Sequence, residues 1–237
     1  MDIWKKINDL GDFYAIDYIG VAALTNYHAE LQAIGGSLTD RFPRALSIGI
    51  ILPQTIVELL ADRNSYENTL QYETHAYQVI NQRLDLFSSI ISSVIQKNGY
   101  QAMPLPAAER IDSERVCATM PHKAAAYLAG FGWIGKNCLL ITPDNGPRVR
   151  WTTVLTDAPL AENHTIMDTR CGGCTACTAA CPAQAIKGRA FSRGEGREMR
   201  LDVAKCENYF KTLKDEGKLP ICGMCLYICP HGKSRRT

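Results

Sequence analysis

Cys171, Cys174, Cys177 and Cys181, followed by Pro182, have the C-x2-C-x2-C-x3-C-P spacing with which ferredoxin-type loops hold [4Fe-4S] clusters. A second run, Cys206 and then Cys222, Cys225 and Cys229 with Pro230 closing it, supplies four more thiolates. The spacing matters because a cubane takes three thiolates from a tight loop, while the fourth cysteine, leaving on a short helix, reaches the neighbouring cluster. Cys171, Cys174, Cys177 and Cys229 are thereby assigned to one cluster, and Cys181, Cys206, Cys222 and Cys225 to the other. The chemistry such a pair does is the transfer of single electrons.

Other uses of cysteine fit less well. A zinc ribbon needs two C-x2-C pairs, not four successive cysteines at these spacings, and has no use for the Cys-Pro steps. Disulfides would suit the even count of ten cysteines, yet the N-terminal MDIWKKINDLGDFYAIDYIG has no apolar signal region and no small-residue cleavage site. A reducing, cytoplasmic setting is expected. Cys138, in the apolar stretch Asn137 to Thr142, reads as a buried small hydrophobe, and Cys117 as an inert thiol with a reactive one as its alternative.

Composition sets the frame for these residues. Hydrophobic residues make up 46% and charged residues 21% of the chain, the balance of an ordinary soluble globule. A formal net charge of +2 gives no reason to expect nucleic acid, and the basic end Lys233 to Thr237 is short enough to be solvated. The longest apolar stretch, Ile48 to Leu60, is interrupted by Pro53, Gln54 and Glu58, so no membrane span is expected.

The thiols need elements to position them. Ala45 to Leu52 is a continuous apolar run of strand length, and Pro53 suits the first turn of a helix through Leu60. Tyr77, Ile80, Leu84, Phe87, Ile91 and Val94 recur at helical spacing up to the stop at Asn98-Gly99, which predicts a long central helix with a core-packing stripe. Pro121 opens another helix over His122 to Ala129, ended by Gly130. The turn Gly130 to Asn137 follows. Its glycines allow backbone N–H groups to approach a ligand and Lys136 adds a charge, but a tight turn into the strand at Leu139 would use the same glycines.

Leu139 to Thr142 and Val149 to Thr156 read as a hairpin joined by Pro143 to Pro147. Periodicity is lost after Thr156, which places a domain boundary near 157 to 168 and gives domains of 1–164 and 165–237. Inside the second, Asp202 caps a helix with Val203, Cys206, Phe210 and Leu213 on one face.

Taken together, Ala129-Gly-Phe-Gly-Trp-Ile-Gly-Lys-Asn137, the segment ending Val154-Leu-Thr-Asp157, and the two cysteine runs resemble the epoxyqueuosine reductase family, in order and spacing from about Asp112 to Pro230. That family, like the related reductive dehalogenases, couples two [4Fe-4S] clusters to a cobalamin. The resemblance implies an α+β chain, a nitroreductase-like α/β domain followed by a ferredoxin-like module. It implies that Gly132, Trp133, Ile134, Gly135, Lys136 and Asn137 lie against the corrin, with the clusters delivering electrons to cobalt.

The sequence also departs from the family. Members that act on tRNA carry a C-terminal helical repeat extension, and this sequence stops at Thr237. They place an aspartate proton donor 14 residues ahead of the glycine matching Gly130, where this sequence has Val116. The nearest match, Asp112-Ser113, requires four inserted residues. Epoxyqueuosine in tRNA is therefore not the expected substrate. Candidate proton donors are Asp112, His122 and Lys136. An external ferredoxin or flavodoxin would supply electrons. Two rival functions are an electron-transfer protein that reduces the corrinoid of a separate protein and a reductase that binds flavin in place of cobalamin.

Overall fold

The computed structural model describes residues 2–35, 37–108, 110–112, 116–162 and 165–233. In chain order the helices and strands are α1 (Ile3–Phe13), β1 (Tyr18–Ala23), α2 (His28–Gly35), β2 (Arg44–Ile51), α3 (Gln54–Glu58), α4 (Tyr66–Glu73), α5 (Ile80–Lys97) and β3 (Ala102–Leu105), then α6 (His122–Leu128), β4 (Trp133–Ile134), β5 (Leu140–Ile141), β6 (Val149–Thr156), α7 (Ala176–Ala179), α8 (Val203–Asp215) and α9 (Met224–Tyr227). The mixture is α+β. None of the helices among the described residues is long and apolar enough to cross a membrane.

The chain forms two compact units and passes between them repeatedly. Met1–Ile51, Ile80–Phe131 and Arg150–Met167 make the first; Leu52–Val79, Gly132–Val149 and Asp168–Thr237 make the second. The last crossing falls in the stretch where periodicity is lost. Two earlier segments, one after β2 and one after α6, also join the cysteine-bearing part.

The first unit is built on a sheet of order β1-β2-β6-β3. β1 runs antiparallel to β2, from Tyr18 opposite Gly49 to Ala23 opposite Arg44, and β3 antiparallel to β6, from Ala102 opposite Thr156 to Leu105 opposite Thr153. β2 is buried on both faces, with Ala45, Leu46, Ser47 and Ile48 all 0% exposed, which is why it reads as an unbroken apolar run rather than an alternation. α5 buries Ile80, Leu84, Phe87, Ile91, Val94 and Ile95, each contributing about 1.5–3 kcal/mol on full burial. Tyr77 lies outside this stripe because Thr74–Val79 form a π-helical turn that shifts the register before α5 begins. A second apolar group, including Leu24, Leu31, Phe42, Met120, Leu128 and Leu155, packs α6 into the same unit.

The expected hairpin between 139–142 and 149–156 does not form. The turn is there, with Thr142 bridged to Gly146, but Leu140 and Ile141 pair back onto Ile134 and Trp133, while β6 enters the four-stranded sheet between β2 and β3. The physical reason is a close approach at Gly132. A Cβ there would stand 2.0 Å from the carbonyl oxygen of Ile141, so the glycine lets the chain before β4 press against β5 and take it as a partner.

Candidate iron-sulfur site

None of the ten cysteines is paired in a disulfide. In the second unit Cys171 opens a tight loop in which the Cys174 N–H donates to the Cys171 carbonyl at 3.0 Å, and Cys177 follows on the single turn of α7. Cys171, Cys174, Cys177 and Cys229 line one small cavity together with Lys136, Asn137, Ile141, Pro230 and His231. Three thiols come from the first run and one from the end of the second. Burial pushes the Cys229 thiol up to about 11, and Cys171, Cys177 and Cys174 add to the rise.

The other four thiols gather around α8 and α9. Asp202 caps α8, its carboxylate accepting from the Lys205 N–H at 3.1 Å, and so orients the face that carries Cys206. Cys225 is pushed far upward, first by burial and then by Cys222, Cys206 and Cys181 in turn. Cys222 is raised by burial as well, opposed by the Met224 backbone N–H and the Arg63 charge. The Ala185 N–H donates to the Cys181 sulfur at 3.3 Å. Cys225 also feels Cys177, a member of the first group. The two groups therefore adjoin.

Both loops are fastened by residues far away in sequence. The Lys136 ammonium donates to the carbonyls of Gly172 at 2.7 Å and Cys174 at 3.0 Å. Asn137, only 4% exposed, donates through Nδ2 to the Cys225 carbonyl at 2.9 Å and accepts from the Leu139 N–H. One dipeptide thus ties down a loop of each cysteine run. Arg148, 2% exposed, donates to Glu58 at 2.8 Å and to the Tyr227 carbonyl at 3.2 Å. Gly223 stands in the left-handed region at φ 68, and a Cβ there would come within 2.6 Å of Leu60 and 3.0 Å of Tyr72. Only glycine passes through this point without strain.

Sequence reasoning gave Lys136 and Asn137 a cofactor-facing role and did not foresee their hold on the cysteine loops, nor any part for Arg148 or Arg63. No spacing signal marks such residues. Gly132, Trp133, Ile134 and Gly135 are all buried beside them in the second unit, and the Trp133 ring meets His231 edge-on at 5.0 Å.

Asp112 and His122 lie in the first unit. Asp112 is half-buried and bridged to Cys117; Ser113 lies outside the described residues. His122 opens α6 with Nε2 3.0 Å from the Pro106 carbonyl and Nδ1 2.9 Å from the Thr153 hydroxyl. Because a carbonyl can only accept, Nε2 carries the proton in the neutral ring and Nδ1 accepts from Thr153. Val116 sits at φ 49, a conformation that a β-branched side chain opposes.

Residues 170–232 match the model of a 4Fe-4S double cluster binding domain. The curated epoxyqueuosine reductase of Cellulophaga algicola is 29% identical over 224 residues, covering 86% of this chain and 66% of that protein. A crystal structure of epoxyqueuosine reductase superposes with a TM-score of 0.61 at 16% identity, covering 98% of this chain and 66% of its own. A reductive dehalogenase whose structure suggests a mechanism for B12-dependent dehalogenation gives a TM-score of 0.71 at 19% identity, covering 97% of this chain and 31% of its own. Of another curated relative, the epoxyqueuosine reductase of Pseudomonas aeruginosa, the chain spans 42% of the length. The chain therefore carries a 4Fe-4S binding domain, is similar to epoxyqueuosine reductases over most of its length, and has a fold in common with the reductive dehalogenases.

Proposed function

We propose that this chain is an iron-sulfur reductase that passes electrons through two [4Fe-4S] clusters to a cobalamin. Cys171, Cys174, Cys177 and Cys229 would hold one cluster and Cys181, Cys206, Cys222 and Cys225 the other. The observation that carries this reading is the joining of Cys229 to the three thiols of the opposite run around one cavity, which is the ligand crossover that double-cluster modules use. The donor set fits cubanes better than a single ion. Among the described residues no three His, Cys, Asp or Glu side chains converge closely enough to hold one metal ion, whereas a cubane takes its four thiolates at separate irons.

Each raised thiol must lose its proton on ligation, so cluster binding and deprotonation are coupled. Lys136 and Asn137 would keep the two ligand loops in place while this occurs. Cobalamin enters through the resemblance to the epoxyqueuosine reductases and to the B12-dependent dehalogenase fold. When bound, it would supply the two-electron reductive chemistry that single-electron carriers cannot. On the same resemblance, Gly132 to Asn137 would lie against the corrin. With Val116 at the family's acid position, epoxyqueuosine in tRNA stands outside the proposal. A ferredoxin or flavodoxin of a reducing cytoplasm would be the electron source.

Anaerobically reconstituted protein, soaked with hydroxocobalamin or flavin and freed of excess, tests the reading by its absorption spectrum. A retained corrinoid band is expected. Retained flavin alone, or neither cofactor at tens of micromolar, on the order of 6 kcal/mol, would replace cobalamin with the flavin or the pure electron-transfer function. Rapid queuosine formation on tRNA in a parallel assay would overturn the exclusion of that substrate.

A further inference from the structure

Arg63 stands just outside the eight thiols, and the ligand spacing gives no reason for it. It follows the short helical turn Leu59–Asp62 and is half-buried. Its Nη1 donates to the Tyr209 hydroxyl at 2.5 Å and lies 4.0 Å from the Cys222 sulfur, with the guanidinium 5.4 Å from the centre of the Tyr209 ring. Tyr209 is one helical turn beyond Cys206 on α8, so the two share a face. The helix that presents one thiol thereby also aims the arginine at another.

The charge is directed at sulfur. Arg63 stands apart from the ion pairs of Arg148 with Glu58, Arg189 with Glu195 and Lys218 with Glu216 in the second unit. Its remaining surface helps line a cavity of about 250 Å³ with Tyr66, Tyr209 and Lys218. The first cysteine set has a cation as well, but the Lys136 ammonium donates to backbone carbonyls.

We propose that Arg63 raises the reduction potential of the cluster held by Cys181, Cys206, Cys222 and Cys225, and of that cluster alone. This rests on the two-cluster reading. Reduction adds one negative charge to a cluster, and a fixed cation with an N–H turned toward a ligand sulfur favours the reduced form over the oxidised one. Arginine suits the position because it does not lose its charge and the two N–H groups of one terminal nitrogen can serve Tyr209 and the sulfur together.

The test is an EPR-monitored redox titration of the reconstituted full chain with Arg63→Gln, Arg63→Lys and Tyr209→Phe. In Arg63→Gln one midpoint should fall so that, at a fixed potential, the ratio of reduced to oxidised cluster drops about tenfold, or about 59 mV for one electron. The shifted signal should be the one that survives in Cys229→Ser. Tyr209→Phe, which frees the guanidinium, should move the same midpoint by less. If Arg63→Gln does not load iron, Arg63→Lys carries the test, because its different reach withdraws charge from Cys222 and should lower the midpoint in the same direction. Unmoved midpoints in a loaded variant, or equal shifts of both clusters, would overturn the proposal. Iron at about four atoms per chain instead of about eight would instead sink the two-cluster reading beneath it.

Discussion

Cys229 is the residue on which the ligand assignment turns. If it completes the set of Cys171, Cys174 and Cys177 whose cavity it lines, Cys229→Ser should abolish or convert that cluster and leave the one held by Cys222 and Cys225. Iron analysis and EPR decide this; loss of the Cys222 cluster alone would show that the crossover is wrong. Asn137→Ala removes a buried donor to the Cys225 carbonyl and should cost about 1–3 kcal/mol if that carbonyl is left unpaired, measured by chemical denaturation. The cysteines were legible because their spacing is local in sequence. Their fasteners were not, since Lys136 meets Gly172, and Arg148 meets Tyr227, across separations that no motif encodes.

At the scale of elements, α5 and β2 were readable from apolar pattern alone because each has a single dominant environment. The strand at 140–141 was found but given the wrong partner, since two apolar runs around a turn cannot say which of several strands each will join. β3 was missed. It contains Pro104, which removes a ladder donor and argues against a strand except at a sheet edge, and an edge is where it lies. Asp202→Ala should lower stability by about 1 kcal/mol through loss of the α8 cap, seen as a lower thermal midpoint. Gly223→Ala meets both a left-handed backbone and the Leu60 and Tyr72 side chains, so it should cost more than the cap variant and reduce iron loading as well.

For the whole molecule, the buried thiols make the metal-free chain sensitive to alkali. Cys229 has an ordinary value of 9.0 and is pushed up to about 11 by burial. Because its folded value is raised, an unfolded chain ionises first as pH climbs. The stability contributed by keeping this thiol neutral is present below pH 9.0 and lost as pH rises through about 11. Metal-free protein should therefore melt at progressively lower temperature across that window, and cluster-loaded protein, whose thiolates carry no proton to lose, should resist. A flat melting profile for the metal-free form would count against burial as the cause of the shift.

The repeated passage of the chain between its two units bears on whether the redox part can be transplanted. The stretch from Asp168 onward contains all eight ligand candidates and looks, in one dimension, like a cassette. It does not contain Arg63, Lys136, Asn137 or Arg148, whose side chains bond to it, nor Glu58, which pairs with Arg148. Excised as residues 168–237 or spliced behind another protein, it should acquire iron poorly and release it readily, and adding back 52–79 and 132–149 should be needed to restore full occupancy. By that measure the iron-sulfur part is a region of this fold rather than a portable ferredoxin.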